Sequence, residues 1–482
     1  MHFSAIFRVI GILITLFSST LAITAIVGYL WFDEDTTSTF GAAFAITLLA
    51  GLFLVLISKG QRELRGGDGF LITVLFYLSL GLFGAIPIYL SESINASFTD
   101  AMFESLSALT TTGATVLSGL DDLPKSILLY RQLLQWLGGM GIIVLAVAIL
   151  PMLGIGGMQL YRAESPGPVK DTKLTPRITE TARALWYLYL GLTIACAAAY
   201  WLAGMSLFDA ICHSFSTVAI GGFSTHDASL GFFNSAAIET VAIIFMIISG
   251  INFGLHFVAL SRRNPLLYFR DIEVRGYIFM LSVVTVIVVA ILYQHPAASA
   301  TPLREGIFQA VSIATTTGFT TTNFSIWPSA APILLLLAAF AGGCAGSTAG
   351  GVKIIRVVLI YLQGYREIKR LIHPNGVFPI KLGSKRVPDR VIEAVWGFFS
   401  IYVIVFLIMV CLLMTISDLD FITAFSAVGA CLNNLGPGLG EVAMNYESLP
   451  DAVKWVLVFA MLLGRLEIFT LLVLLTPAFW RR

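Results

Sequence analysis

The sequence predicts an all-α membrane protein in which four pseudo-symmetric helix/pore-helix/helix repeats surround a central pore, with two extra N-terminal transmembrane helices. Three observations predict it. Of 482 residues, 57% are hydrophobic and only 12% are charged, and the mean hydropathy of +0.88 exceeds what a soluble domain tolerates. The chain divides into ten apolar runs near the length of about 20 residues that a hydrocarbon core of about 30 Å requires. Four times, a short amphipathic stretch runs thirteen residues from an acidic or hydroxyl residue to a glycine: DAMFESLSALTTTG from Asp100, DAICHSFSTVAIGG from Asp209, EGIFQAVSIATTTG from Glu305 and TAFSAVGACLNNLG from Thr423. Regular internal repetition of this kind signals one structural unit used several times.

The N-terminal region, residues 1–68, reads as an accessory helix pair near 5–30 and 41–58. Its first apolar run is too long for a signal peptide and is expected to be retained. Four pore repeats then occupy 69–160, 161–272, 273–390 and 391–482. Each has an outer and an inner span: 69–90 with 126–152, 182–205 with 236–261, 275–294 with 330–361, and 392–417 with 452–478. Lys and Arg gather in the 59–68 loop, the 162–183 loop, the Ser261–Arg275 segment and 353–390, which places these on the cytoplasmic side together with both termini. The four hairpins then share the opposite side. A net charge of +1 with no basic domain excludes a nucleic-acid partner, and five scattered cysteines without a CxxC pair suggest neither disulfides nor a metal site.

Twelve residues from Asp100 to Thr111 make about 18 Å of helix, enough to enter a bilayer but not to cross it. Asp100, Asp209, Glu305 and Thr423 suit an N-cap or first turn, where the positive end of the dipole favours oxygen and negative charge. The other end of each re-entrant half-helix carries partial negative charge, which favours a cation where the four converge. There the sequence reads TTTGAT, AIGGFS, TTTGFT and NLGPG, and Gly113, Gly222, Gly318 and Gly436 fall in register. Glycine there can take positive φ and turn carbonyls toward an axis. One such hairpin alone would be an ordinary loop tip.

Between Phe340 and Lys353 the third inner span reads FAGGCAGSTAGGVK. Gly342, Gly346 and Gly350 could form a close helix-packing face. With Gly343 and Gly351, however, five glycines in ten residues disfavour an unbroken helix, and a break inside the membrane fits better. Arg465 lies within the last span, where an arginine is costly and marks a functional site by default. Glu467, two residues on, falls on another helix face, so Arg465 is expected to point into the cavity. His213, His226 and His256 read as packing or loop residues.

These filter motifs, with GGCAGSTAGG and NNLGPGLG, resemble those of the superfamily of potassium transporters that includes Trk, Ktr and HKT proteins, and the extra N-terminal pair resembles the Trk type. The resemblance spans essentially the whole chain. It implies K+ uptake, with Rb+ following, across a bacterial inner membrane, by a homodimer with a cytosolic nucleotide-binding regulatory ring of the TrkA type. It implies K+ as transported ion and no organic cofactor. It assigns the ion-lining role to Thr111, Thr112, Ile220, Gly221, Thr316, Thr317, Asn434 and Leu435 together with the filter glycines. It also makes the glycine-rich loop and Arg465 the gate. A K+/H+ or K+/Na+ symporter is the alternative, disfavoured because mid-span carboxylates are nearly absent. A membrane-embedded enzyme lacks any nucleophile, metal cluster or phosphate loop, and a scaffold needs no filters in register.

Overall fold

The computed structural model describes residues 3–32, 36–58, 66–141, 178–383 and 385–481. The far end of the first inner span and most of the basic 59–68 and 162–183 loops lie outside the described residues. The first two helices, α1 (Phe3–Val27) and α2 (Thr37–Ile57), pack through Gly11 and Gly51. A Cβ on Gly11 would press on the Gly51 carbonyl oxygen at 2.8 Å, so only small residues permit this approach. Thr36 and Ser126 join their hydroxyls at 2.8 Å and tie the pair to the first repeat.

That repeat comprises α3 (Gly66–Leu90), the half-helix α4 (Phe98–Leu109) and α5 (Lys125–Trp136). The second comprises α6 (Ile178–Leu202), the half-helix α7 (Leu207–Ala219), α8 (Ala236–Ser249) and α9 (Phe253–Ser261). A short α10 (Leu266–Arg270) leads to the third, with α11 (Ile272–Gln294), the half-helix α12 (Pro302–Ala314), α13 (Ala331–Ala341) and α14 (Ile354–Ile372). A tiny antiparallel hairpin, Lys381–Leu382 on Lys385–Arg386, precedes the fourth. There α15 (Asp389–Ile416) is followed by the half-helix α16 (Phe421–Leu432), α17 (Asp451–Arg465), α18 (Phe469–Leu475) and α19 (Pro477–Trp480).

The half-helices have 12 or 13 residues, as the repeat spacing requires. Ser97 and Ser206 are the true N-caps, their hydroxyls accepting from the Asp100 and Asp209 amides at 3.1 and 3.0 Å. The acids therefore sit in the first turn rather than at the cap, where they meet the helix dipole. In the fourth repeat Asp420 caps, accepting from the Ile422 and Thr423 amides.

The inner spans depart from the sequence expectation. Those at 236–261 and 452–478, expected to be continuous, bend by 91° between α8 and α9 and by 115° between α17 and α18. The first bend forms at Gly250, beside the Tyr277 hydroxyl, with Asn252 capping α9 by accepting from the Gly254 amide at 2.7 Å. The second forms after Gly464, where Glu467 and Ile468 take φ of 52° and 36°. In the first repeat α5 passes at Gly138 into a π turn, Leu137–Gly141, and in the third α13 stops at Gly342. Among the described residues, six helices are long and apolar enough to cross a bilayer, or eight if each bent pair counts as one span. The ten expected spans add the first and third inner segments.

Burial runs opposite to that of a water-soluble protein. Leu202 and Val286 on outer helices and Leu56 on α2 are 81%, 67% and 76% exposed, whereas Thr110, Thr112 and Thr315–317 are wholly buried. An apolar belt around a polar centre suits lipid as the surrounding solvent.

Candidate functional site

Each half-helix ends in the same backbone device. The Thr112, Gly221, Thr317 and Leu435 amides donate back to the carbonyls of Ser107, Ser216, Ser312 and Ala430 at 2.8 to 2.9 Å. The preceding amides, of Thr111, Ile220, Thr316 and Asn434, reach Ala108, Thr217, Ile313 and Cys431. This is a Schellman motif, which needs one residue in the left-handed region. Thr111, Ile220, Thr316 and Asn434 supply it, with φ of 53°, 55°, 66° and 53°. Three of these are β-branched, for which such a conformation is a strained outlier that the surroundings must enforce. Two residues later Gly113, Gly222, Gly318 and Gly436 are also left-handed, with φ from 75° to 98°.

The four hairpins form a closed ring. A Cβ added to Gly113 would overlap the Gly221 carbonyl oxygen, one on Gly222 that of Thr317, and one on Gly318 that of Leu435. On Gly436 it would press on the Thr112 oxygen at 2.7 Å and return to the first repeat. Each glycine thus lies against the carbonyl that precedes the glycine of the next repeat. The residues to which the resemblance assigns the ion-lining role therefore come together around one axis, all of Thr111, Thr112, Ile220, Thr316, Thr317, Asn434 and Leu435 being buried.

At the deep end of the hairpins lies the Gly342–Lys353 loop, hydrogen-bonded to three repeats. The Gly350 amide donates to the Thr316 hydroxyl at 2.7 Å, and the Gly351 amide to the Asn433 carbonyl at 3.1 Å. Thr348 donates its hydroxyl to the Val218 carbonyl at 2.9 Å, and the Cys344 amide donates to Gly250. Gly343 and Gly350 are buried within the loop, and Gly346, whose carbonyl accepts from the Phe253 amide, is partly so. Gly342 and Gly351 pack against each other at its neck.

Arg465 completes the cluster. Its guanidinium donates to the Thr111 hydroxyl at 3.1 Å, the Thr348 carbonyl at 3.3 Å and the Gly139 carbonyl at 2.6 Å, and also to Gly138. These acceptors are all neutral. Glu467 instead pairs with Arg356 across the break. Arg465 thus joins the first hairpin, the glycine-rich loop and the π turn of the first inner helix.

Two groups went unnoticed in the sequence, and a third, His226, has partners that it did not announce. Glu104 and Arg131 form an ion pair behind the first hairpin, 0% and 1% exposed. Gln135 donates to the Gly221 carbonyl at 2.6 Å and accepts from the Phe223 amide at 3.1 Å, which marks the second filter off from the others. At the outer mouth His226 stacks on Phe232 and meets Asp121 and Asp209 from two repeats. The sequence reads His226 as a packing or loop residue, and the structure pairs it with two carboxylates beside the hairpin exits.

Comparison with known proteins places this geometry in a family. Residues 36–482 match the TrkH family model, described as a cation transport protein. The chain is 56% identical over 487 residues to the Trk system potassium uptake protein TrkH of Vibrio parahaemolyticus, covering 100% of both. It is 54% identical over 484 residues to the protein of that name from Escherichia coli, again covering all of both chains. The crystal structure of the potassium transporter TrkH from Vibrio parahaemolyticus matches with a TM-score of 0.91 at 52% identity, covering 100% of each chain. The relatives are transporters rather than enzymes, and the apolar helices fit a multi-pass protein of the bacterial inner membrane. By its motifs, its fold and these full-length matches, the chain belongs to the TrkH family of cation transport proteins.

Proposed function

We propose that the protein takes up K+, and with it Rb+, by gated, channel-like permeation along the axis of the four hairpins. The observation that carries this reading is the closed ring of glycine-to-carbonyl contacts, which sets the Thr112, Gly221, Thr317 and Leu435 oxygens about one line. Carbonyl oxygens so arranged can replace the hydration shell of a bare cation, and the half-helix C-termini add favourable potential. Thr111, Ile220, Thr316 and Asn434, with the four glycines, hold the strained backbone that presents them. The relatives' printed names as potassium uptake proteins support K+ as the ion.

The Gly342–Gly351 loop and Arg465 act as the barrier in this reading. A loop bonded to Thr316, Asn433 and Val218 stands across the deep end of the filters. An arginine whose acceptors are neutral oxygens leaves its positive charge free to repel a cation. The relatives' designation as parts of a Trk system supports a multicomponent assembly, for which we propose a homodimer and a cytosolic nucleotide-binding ring of the TrkA type. Both termini and the basic loops face that ring.

The test is Rb+ and Na+ uptake by purified protein in vesicles, driven by voltage, with and without a pH gradient. Rb+ uptake that follows voltage alone is expected. Uptake that requires the pH gradient or Na+ would favour the symporter and overturn the channel-like reading.

A further inference from the structure

One position of the half-helix, nine residues before the filter glycine, differs in every repeat: Glu104, His213, Gln309 and Ala427. The structure gives these residues a shared task of graded strength. Glu104 accepts from the Thr115 hydroxyl at 3.0 Å and from the Val116 amide at 3.0 Å, just past Gly113. His213 meets the hydroxyl of Ser224, the equivalent of Thr115, at 2.9 Å. Gln309 reaches Thr321 only at 3.4 Å, and Ala427 has no polar group to offer. The restraint that this position places on the filter exit is thus strongest in the first two repeats.

Arg131 couples those two. Its Nε donates to Glu104 at 2.7 Å, one arm to the Thr115 hydroxyl at 3.2 Å, and the other arm to the Ser224 carbonyl at 3.3 Å. The guanidinium lies over the Phe223 ring, with Cζ 4.2 Å from its centroid. One rigid fork therefore fixes the residues two past Gly113 and two past Gly222 relative to each other. Stability alone does not demand this, because a buried ion pair is often no better for folding than well-packed apolar side chains. Selectivity does demand it, because discrimination between K+ and Na+ depends on the number and placement of the coordinating carbonyls.

We infer that Glu104 and Arg131 are positioning residues for ion selectivity, which hold the exits of the first two filters in register; this rests on the filter reading proposed above. Two changes test it in vesicles, with the ratio of initial Rb+ to Na+ influx as readout. Arg131→Lys keeps the charge beside Glu104 but loses the fork. The double change Glu104→Gln with Arg131→Met removes both charges and leaves neither orphaned. Each is expected to lower the ratio by roughly tenfold, the scale of one lost charge-assisted hydrogen bond. Thermal unfolding of the purified variants reports folding separately. A variant that is less stable or less active but keeps the parental ratio overturns the inference, and if the double variant does not fold, Arg131→Lys decides. Gly113→Ser serves as the companion: a changed ratio there with none at Arg131 refutes the positioning role alone, whereas no change in either refutes the filter.

Discussion

At the residue scale, what the chain showed openly was what it repeated. Ser107, Ser216, Ser312 and Ala430 share one position of the repeat, six residues before the filter glycine, and their carbonyls accept the bond closing each half-helix. Glu104 and Arg131 did not stand out, since each occurs in one repeat and they are joined across twenty-seven positions of chain. His226 is a further case. Burial opposes its charged form, but hydrogen bonds to Asp209 and Asp121 and their negative charge outweigh this and raise its pKa above the ordinary 6.5. The stability it adds is complete below that ordinary value and disappears as pH rises through the higher folded value. The group is partly open to water, so the effect is small. Between about pH 6 and about pH 9, the parent's Tm should fall about 1 to 2 °C more than that of His226→Gln. Parallel pH profiles would show that the pair contributes nothing.

At the element scale, the broken third inner helix was legible because five glycines are crowded into it. The breaks in the second and fourth were not. Gly250 is followed by Asn252, a cap residue that could have signalled a new helix, but single glycines are tolerated inside apolar helices. After Gly464 the left-handed residues are Glu467 and Ile468, and nothing in their chemistry announces a turn. Tertiary packing imposes it, with Glu467 held by Arg356. A unit charge about 4 Å from a permeating ion costs about 4 kcal/mol at an effective dielectric of about 20, so Arg465→Ala should raise Rb+ uptake by at least about tenfold. Removal of Gly342–Gly351 should act in the same direction. A folded variant with unchanged or slower uptake would mean that the loop and the arginine serve packing instead.

At the scale of the whole molecule, fourfold repetition made the architecture readable: an apolar belt, four half-helices pointing inward and four filters in a ring. In the sequence the four filters differ mainly in the fourth, where Asn433 and Asn434 stand in place of the threonines of the first and third and Pro437 follows the glycine. The folded molecule is more graded than that. The first two filters are braced from behind by Glu104, Arg131 and Gln135, while the deep ends of the third and fourth take hydrogen bonds from the loop through Thr316 and Asn433. In the proposed reading the repeated hairpins carry selectivity, tuned by the unrepeated Glu104–Arg131 pair, and the unrepeated loop with Arg465 carries the gate. The measurement that bears most directly on this is the Rb+ to Na+ uptake ratio of Gly113→Ser in vesicles. A side chain there must displace the Gly221 carbonyl, because its Cβ has no space beside that oxygen. The ratio should fall by roughly tenfold or more, as expected when one ring of coordinating carbonyls is disturbed; a parental ratio in a folded, transporting Gly113→Ser protein would contradict the account.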